Sequence, residues 1–441
     1  MKNIFLFVAL SIALTPLISQ TNLTLEEAFQ IALESNQDIN IAKQKSVAES
    51  KKVFKANAGL TPVVSFFGSG EYSLNSVQLA VNTFGPEGGG TQEIGPEFGG
   101  SMVHNAGIQI DYSLFDGGRG KKRYQQLQNR SNLSALQQQA TVDNTLSKVS
   151  QLYLNIASLE QSHKLLEQNI ELSQERLERA QLANKYAKGN EVSILSAKTD
   201  LNTDIISLKN LERTIKNSKV DLLRLLNIDN DFSFSTDTIL SLKSLPPYET
   251  LRAAALQKNP EILLAKQGVI IEKQQLEIVK SDDLPQINVF GRNSILRQDY
   301  EVNQIQYLQS IGPSAGFSIS RTIYNGNKRR KDKEIQQLQI NISEQEEVLV
   351  TQNVLKDLEK SWNTYQNIKE QVAFEQENLP FYQENLRYLQ IDYKVGKATD
   401  TDIRTAQLNL LSAQLSITQK QIELEIEHFK LLKAAGLITT F

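Results

Sequence analysis

One motif is written twice in this chain, and it limits what the rest can become. The first copy is Ala106-Gly107-Ile108-Gln109-Ile110-Asp111-Tyr112-Ser113-Leu114-Phe115-Asp116-Gly117-Gly118-Arg119. The second is Ala315-Gly316-Phe317-Ser318-Ile319-Ser320-Arg321-Thr322-Ile323-Tyr324-Asn325-Gly326-Asn327-Lys328. Each opens as an alternation. Ile108, Ile110, Tyr112 and Leu114 take one side, and Gln109, Asp111 and Ser113 the other. Phe317, Ile319 and Ile323 face away from Ser318, Ser320 and Thr322, with Arg321 the polar intruder on the apolar side. A period of two with unlike faces is a half-exposed strand. Asp-Gly-Gly and Asn-Gly-Asn then break the strand, because Gly and Asn tolerate the positive φ of a sharp turn. A long polar stretch with helical spacing follows each break. The motif is therefore strand, turn, very long helix, once in each half.

Flanking segments repeat in the same order. Thr24-Leu25-Glu26-Glu27 reads as a capping box opening a helix. Ala32-Leu33-Glu34-Ser35-Asn36-Gln37-Asp38-Ile39 returns as Ala255-Leu256-Gln257-Lys258-Asn259-Pro260-Glu261-Ile262, an offset of 255 − 32 = 223. A further helix, Ala42 to Ala58, leads to Pro62, as its partner leads to Pro285, and a strand is expected after each proline. At the turn glycines the offset is 326 − 117 = 209, so the first half holds 223 − 209 = 14 extra residues between its strands. They fall in Leu74–Val103, rich in glycine, which reads as a long mobile loop at the hairpin tip. No Gly-Lys-Ser/Thr follows these glycines, so they are no phosphate cradle.

From Lys121 the spacing is helical to about Lys188, a rod of roughly 65 residues and about 100 Å at ~1.5 Å per residue. After Tyr186-Ala187-Lys188-Gly189-Asn190 a second stripe returns through Ala197, Leu201, Leu208 and Leu222. The second half does the same around Tyr393-Lys394-Val395-Gly396-Lys397, with Pro380 expected to kink its outgoing helix. A patch around Asp229–Pro247 separates the halves. Two halves with one order of elements indicate a duplicated unit.

Composition narrows the function. The 441 residues contain no cysteine and a formal net charge of −3. Disulfides, thiolate metal sites and a cysteine nucleophile are excluded, and a nucleic-acid partner is not indicated. His104, His163 and His428 lie far apart, no Ser/His/Asp grouping emerges, and neither an enzyme nor a cofactor is expected. Residues 1–20 read as a signal peptide: Lys2, an apolar run from Ile4 to Leu14, then small or polar residues. No later stretch is apolar enough to span a bilayer as a helix, so any crossing must be made by strands. Each half offers two. Four strands cannot close, and an open edge cannot face lipid. Two chains would give eight strands and a filled barrel; three would give twelve and leave a pore.

The chain resembles the TolC-type outer-membrane efflux proteins. The resemblance rests on Leu25-Glu26-Glu27-Ala28…Ala32-Leu33…Asn36, on both strand–turn–helix motifs, and on both tips, above all Tyr393-Lys394-Val395-Gly396…Asp402-Ile403…Ala406. It implies a mainly α fold with transmembrane β, built from two tandem repeats. Residues 21–243 form the first, with strands about 62–74 and 104–115 and a helical hairpin about 121–227. Residues 244–441 form the second, with strands about 285–298 and 314–324 and a hairpin about 328–435. Four strands per chain enter a trimeric 12-stranded outer-membrane barrel, continued by a long α-helical coiled-coil barrel in the periplasm. A small mixed equatorial belt uses Phe232–Pro247 and the chain ends.

The implied function is an exit duct of a tripartite efflux or type I secretion system. Its implied partners are two further copies, a periplasmic adaptor, an inner-membrane transporter and outer-membrane lipid. By the same resemblance the tip is the gate. Tyr393 matches a tyrosine that holds the closed state, and Asp402 the first aspartate of the constriction. Asp400 and Thr405 stand nearby, Thr405 where a second aspartate can occur and Ala398 where an arginine often stands. A ring of three Asp402 carboxylates would favour cations. Gly189, Gly396, Tyr186 and Val395 are the expected adaptor-contacting tips. The alternative is a soluble periplasmic coiled-coil adaptor or scaffold.

Overall fold

The computed structural model describes residues 21–83, 90–186, 190–237, 244–301 and 305–440. The expected signal segment, 1–20, and Gly189 lie outside the described residues. The chain divides into two compact units.

The first unit comprises Met1–Gln44, Leu136–Leu263 and Val348–Phe441. It opens with β1 (Thr21–Leu23), α1 (Leu25–Ser35) and the start of α2 (Gln37–Lys51). Two long hairpins supply most of it: α3 (Arg119–Lys185) with α4 (Glu191–Leu226), and α7 (Lys328–Lys394) with α8 (Asp400–Ala434). β4 (Phe234–Thr236), α5 (Tyr248–Lys258) and the start of α6 (Pro260–Lys280) complete it. The Thr24–Glu27 capping box forms as the sequence implies. α2 begins at Gln37 and ends at Lys51, and only a short 3₁₀ turn, Lys55–Ala58, occupies the end of the helix expected to reach Ala58. Pro380 lies inside α7, which continues through it for a total of 67 residues.

β1 and β4 pair in parallel. The main core lies beside them, where Leu25 and Ala28 of α1 meet Val149, Tyr153 and Ile156 of α3, Leu222 of α4 and Phe429 of α8. Tyr153 Oη donates to the Leu23 carbonyl at 2.7 Å and accepts from the Asp237 amide at 2.9 Å. One buried phenol thus ties the chain start to the segment between the halves. Two buried asparagines make matching ties. Asn36 caps α2 and donates to the Leu225 carbonyl at 2.7 Å, and Asn259 caps α6 and donates to the Ala434 carbonyl at 2.9 Å.

The second unit comprises Lys45–Ala135 and Leu264–Glu347. Its centre is an antiparallel sheet of order β2 (Val63–Thr83), β3 (Gly90–Phe115), β5 (Gln286–Tyr300), β6 (Tyr307–Ser320). Register sorts the residues into rows. One row is Ser65, Gln109, Arg292 and Ser314; on the other face Tyr112, Val289 and Phe317 align, as do Ala106, Ile295 and Ile311. A polar and an apolar face suit a strand set with water on one side and hydrocarbon on the other. The turns that end β3 and follow β6 need positive φ: Gly117 and Gly118 adopt 71° and 79°, Gly326 and Asn327 63° and 65°. Among the described residues no helix is long and apolar enough to cross a membrane.

The hairpin tip differs from expectation. β2 and β3 pair with each other through Thr83 and Gly90, well past Ser101, where β3 loses β5 as a neighbour. In its described residues the segment read as a loop is a two-stranded ribbon, about 33 Å for ten residues at ~3.3 Å each. The alternation Val77-Gln78-Leu79-Ala80-Val81-Asn82 is the strand signal that the glycines obscured. Gly99 and Gly100 sit inside β3. There a Cβ on Gly100 would fall 2.5 Å from Glu301 Oε2 and from Tyr72 Oη. Glu301 instead accepts from the Gly100 amide and from the Tyr72 hydroxyl, stapling the end of β5 to the ribbon's base. β6 stops at Ser320, short of the expected residue 324, and Ile323 and Tyr324 lie beyond it, exposed.

Candidate functional site

The tip end of the helical hairpins gathers a cluster of buried charge. Ser173 and Arg176 lie on α3, Asp200 and Asp204 one turn apart on α4, Asp400 and Arg404 one turn apart on α8. Arg176 Nε donates to both Asp400 oxygens at 2.9 and 2.8 Å, and its Nη2 to Asp200 at 2.8 Å. Arg404 forks onto Asp204 through Nη1 and Nη2 at 2.9 and 2.8 Å. Ser173 Oγ donates to Asp204 at 2.6 Å and accepts from Arg404 at 3.1 Å. Gln407, one turn further along α8, donates to the carbonyl and side-chain oxygens of Asn169 at 3.1 and 3.0 Å. Two cations and three anions thus join the first hairpin to the second.

Burial makes these bonds count. The side chains of Arg176, Asp204 and Arg404 are 3, 8 and 11% exposed. Burial alone would lower the Arg176 pKa; the hydrogen bonds to Asp200 and Asp400 outweigh it, and the net shift is upward. The guanidinium stays charged, and bidentate contact to a carboxylate is the arrangement its planar fork favours.

The residues singled out by sequence take other positions. Asp402 completes a capping box at the start of α8, its Oδ2 accepting from the Thr399 amide at 2.8 Å and the Thr399 hydroxyl at 2.6 Å. Those bonds hold its carboxyl below the usual range, although it is exposed. Asp400 belongs to the ion-pair cluster. Thr405 donates to the Thr401 carbonyl at 2.9 Å, a helical back-bond. Tyr393 packs its ring beside Leu386, Ile403 and Ala406. Gly396 turns the chain at φ 77°, with no neighbour near a would-be Cβ, so backbone conformation alone calls for glycine. Tyr186 and Val395 are exposed.

Arg176, Asp200, Asp204 and Arg404 were not singled out by sequence. The signal existed: Ala197, Leu201, Asp204 and Leu208 continue one stripe at spacings of 4, 3 and 4, with an acid where an apolar residue belongs. A charge at a seam position implies a buried partner. Among the described residues no group of acids and histidines is placed to hold a metal.

The described residues carry a four-stranded antiparallel sheet with one apolar face and two long helical hairpins, and none of their helices is long and apolar enough to cross a membrane. The chain belongs to the outer membrane efflux protein family, matching it over residues 28–227 and 251–437. It is an outer-membrane efflux channel of the TolC type that extends into the periplasm. The outer membrane efflux protein BepC of Brucella suis biovar 1 (strain 1330) is 21% identical over 406 residues, covering 88% of this chain and 84% of the relative. The Campylobacter jejuni CmeC outer membrane channel superposes with a TM-score of 0.76 at 16% identity, over 94% of this chain and 86% of that one. The outer membrane protein VceC of Vibrio cholerae superposes with a TM-score of 0.74 at 14% identity, over 93 and 96%.

Proposed function

We propose that three copies form the exit duct of a tripartite efflux or type I secretion system. The observation that carries the stoichiometry is the sheet. Its order is β2-β3-β5-β6, every pairing is antiparallel, and β2 and β6 have no outer partner among the described residues. Bare backbone cannot face hydrocarbon, so another copy must supply the next strand. Up-down alternation brings β6 of one copy antiparallel to β2 of the next. Two copies would make a barrel filled by its own side chains, whereas three leave a lumen. The helical hairpins then continue the duct as a coiled-coil barrel, with the β1–β4 segment in a belt around it.

The tip is the gate in this reading. Arg176 and Arg404 fasten the hairpins of each copy together, so the ends approach the axis as one body. Tyr393 packs the second tip, and Asp402, with Thr405 beside it, is the acid left to form a ring; Asp400 is occupied by Arg176. The turn at Gly396 and Val395, and Tyr186 at the end of α3 with Gly189 three residues on in the sequence, face a periplasmic adaptor coupled to an inner-membrane transporter. Small molecules, metal ions and secreted proteins are the cargo classes of such ducts. A soluble adaptor or scaffold is the weaker reading, since membership of an outer-membrane channel family speaks against it. Reconstituted protein in a planar bilayer tests the proposal. Trimers that conduct ions support it; a monomer that is soluble without detergent and silent in the bilayer ends it.

A further inference from the structure

Arg321 interrupts the apolar side of the second strand–turn–helix motif, and the fold shows what surrounds it. β6 ends at Ser320 with Phe317 and Ile319 of its apolar face 72 and 64% exposed, and Arg321 follows, also exposed. It makes no hydrogen bond or ion pair among the described residues and feels Asp283 only at a distance. With Tyr324, Arg329, Arg330 and Lys333 it lines a cleft of about 470 Å³. Arg329 shapes the cleft, its terminal nitrogens donating to the carbonyls of Asp282, Thr322 and Ile323 at 3.1, 2.6 and 3.2 Å. Lys333 pairs with Asp283. Arg330, 78% exposed, gives only its Nε to Glu334, at 3.0 Å. Arg321 and Arg330 thus keep their terminal nitrogens open.

The cleft belongs to a wider basic zone. Phe115, Ile287 and Ile319 share a row, so the turns after β3 and β6 leave the same end of the sheet. Segments 114–123, 281–285 and 321–334 begin there. They hold ten Lys or Arg against five acids, 10 − 5 = +5, in a chain of net charge −3. Helix stability does not ask for this. α3 and α7 open with cations and no acid in the first turn, the sign that the helix dipole disfavours. The ribbon at the sheet's other end has the opposite sign: residues 71–103 hold four acids and no Lys or Arg.

We propose that this cleft binds the phosphate of an anionic phospholipid headgroup, a reading that rests on the sheet being part of a membrane barrel. The guanidiniums select the anion, because their planar fork fits a phosphate. The neighbours select a lipid. Phe317 and Ile319 offer an apolar face to an acyl chain, and Ile323 and Tyr324 are 92 and 75% exposed beside the cations. Tyrosine rings collect where headgroups meet hydrocarbon. A charge on a lipid-facing row is costly at the bilayer midplane and nearly free at its surface, and basic pockets at a membrane face take anionic headgroups.

Native mass spectrometry of the detergent-purified full chain tests this. The protein is titrated with dioleoylphosphatidylglycerol, with zwitterionic dioleoylphosphatidylcholine, and with inorganic phosphate. Phosphatidylglycerol should bind in preference to phosphatidylcholine. Arg321→Gln should weaken it about fivefold, as the loss of one cation near a membrane surface implies. Adding Arg330→Gln should weaken it further, and Arg321→Lys should keep most of it. Both side chains are exposed, so thermal unfolding of the variants should match the parent. Equal binding of the two lipids, or undiminished phosphatidylglycerol binding by the double variant, overturns the proposal. Displacement of the lipid by an equal concentration of inorganic phosphate overturns it as well, in favour of a small-anion site. If the same protein forms conducting trimers, such a failure removes only the lipid site; a soluble monomer removes the barrel reading itself.

Discussion

Arg404 grips Asp204 with both terminal nitrogens, at 2.8 and 2.9 Å, across 200 residues of chain. Neither side chain is more than 11% exposed, and Arg176 repeats the arrangement beside it with Asp400 and Asp200. The cluster fastens two helical hairpins by charge that is costly to separate. Removing one partner from such a pair leaves a buried, uncompensated ion.

Arg404→Ala should therefore loosen the tip by about 3–5 kcal/mol. Hydrogen exchange in residues 169–177 and 200–207 measures it, and both segments should lose protection while the β1–β4 segment keeps its own. Arg404→Lys should recover little, because an ammonium cannot make the fork. Unchanged exchange in Arg404→Ala would mean the pair is not what holds the hairpins together.

Asp402→Ala should lower cation preference in single-channel recordings, if the three exposed carboxylates shape the constriction. The same change removes the carboxylate that completes the capping box of α8 with Thr399. The cap has a pH signature. Its carboxyl is held below the usual value, so the stability it adds is present above that value and fades as pH falls through the depressed one, below about pH 4. Fraying of α8 on acidification, absent in Asp402→Asn, would be seen by hydrogen exchange.

Asp143, on α3, is 2% exposed and neither carboxylate oxygen has a hydrogen-bond partner among the described residues. Burial pushes its pKa up to about 6, against the pull of Lys433. The folded chain then holds a proton that the unfolded chain has released, so stability rises as pH falls from about 6 to about 4. Asp143→Asn should flatten that dependence and stabilise the protein at pH 7 by on the order of 1–2 kcal/mol. Thermal unfolding in detergent across pH 4–8 decides the matter.

Gly107 stands where β3 passes β5. A Cβ there would lie 2.5 Å from the Asn293 carbonyl oxygen and 2.7 Å from Ser294 Cβ. The first of these is backbone and cannot turn aside, so Gly107→Ala should part the central strands at a cost of about 1–3 kcal/mol. A lower thermal unfolding temperature in detergent is the expected readout, with Gly291→Ala, which meets nothing within 4 Å, as the tolerated control.

The strand–turn–helix order and the capping box at Thr24 were legible because each depends on neighbours in sequence. The ribbon beyond Ser101 was misread because glycine signals a loop locally, whereas here it makes room for Glu301, some 200 residues away. The ion-pair cluster was missed for a related reason. Its members lie on three helices, and only an acid at a seam position of α4 hinted that a partner would come from elsewhere. Asp402 was noticed and Arg404 was not, although they are two residues apart, because a helix start can be read from sequence and a buried fork cannot.

The sequence by itself determined the elements and their periods. Alternation made strands with two unlike faces, heptad stripes made rods, and Gly or Asn at positive φ made the turns, all through interactions reaching only a few residues. Tertiary structure decided which charges are buried together, which strand edges stay bare, and which cations gather at one end of the sheet. Those outcomes depend on helices and strands hundreds of residues apart arriving at one place, and burial there turns an ordinary arginine into a fastening.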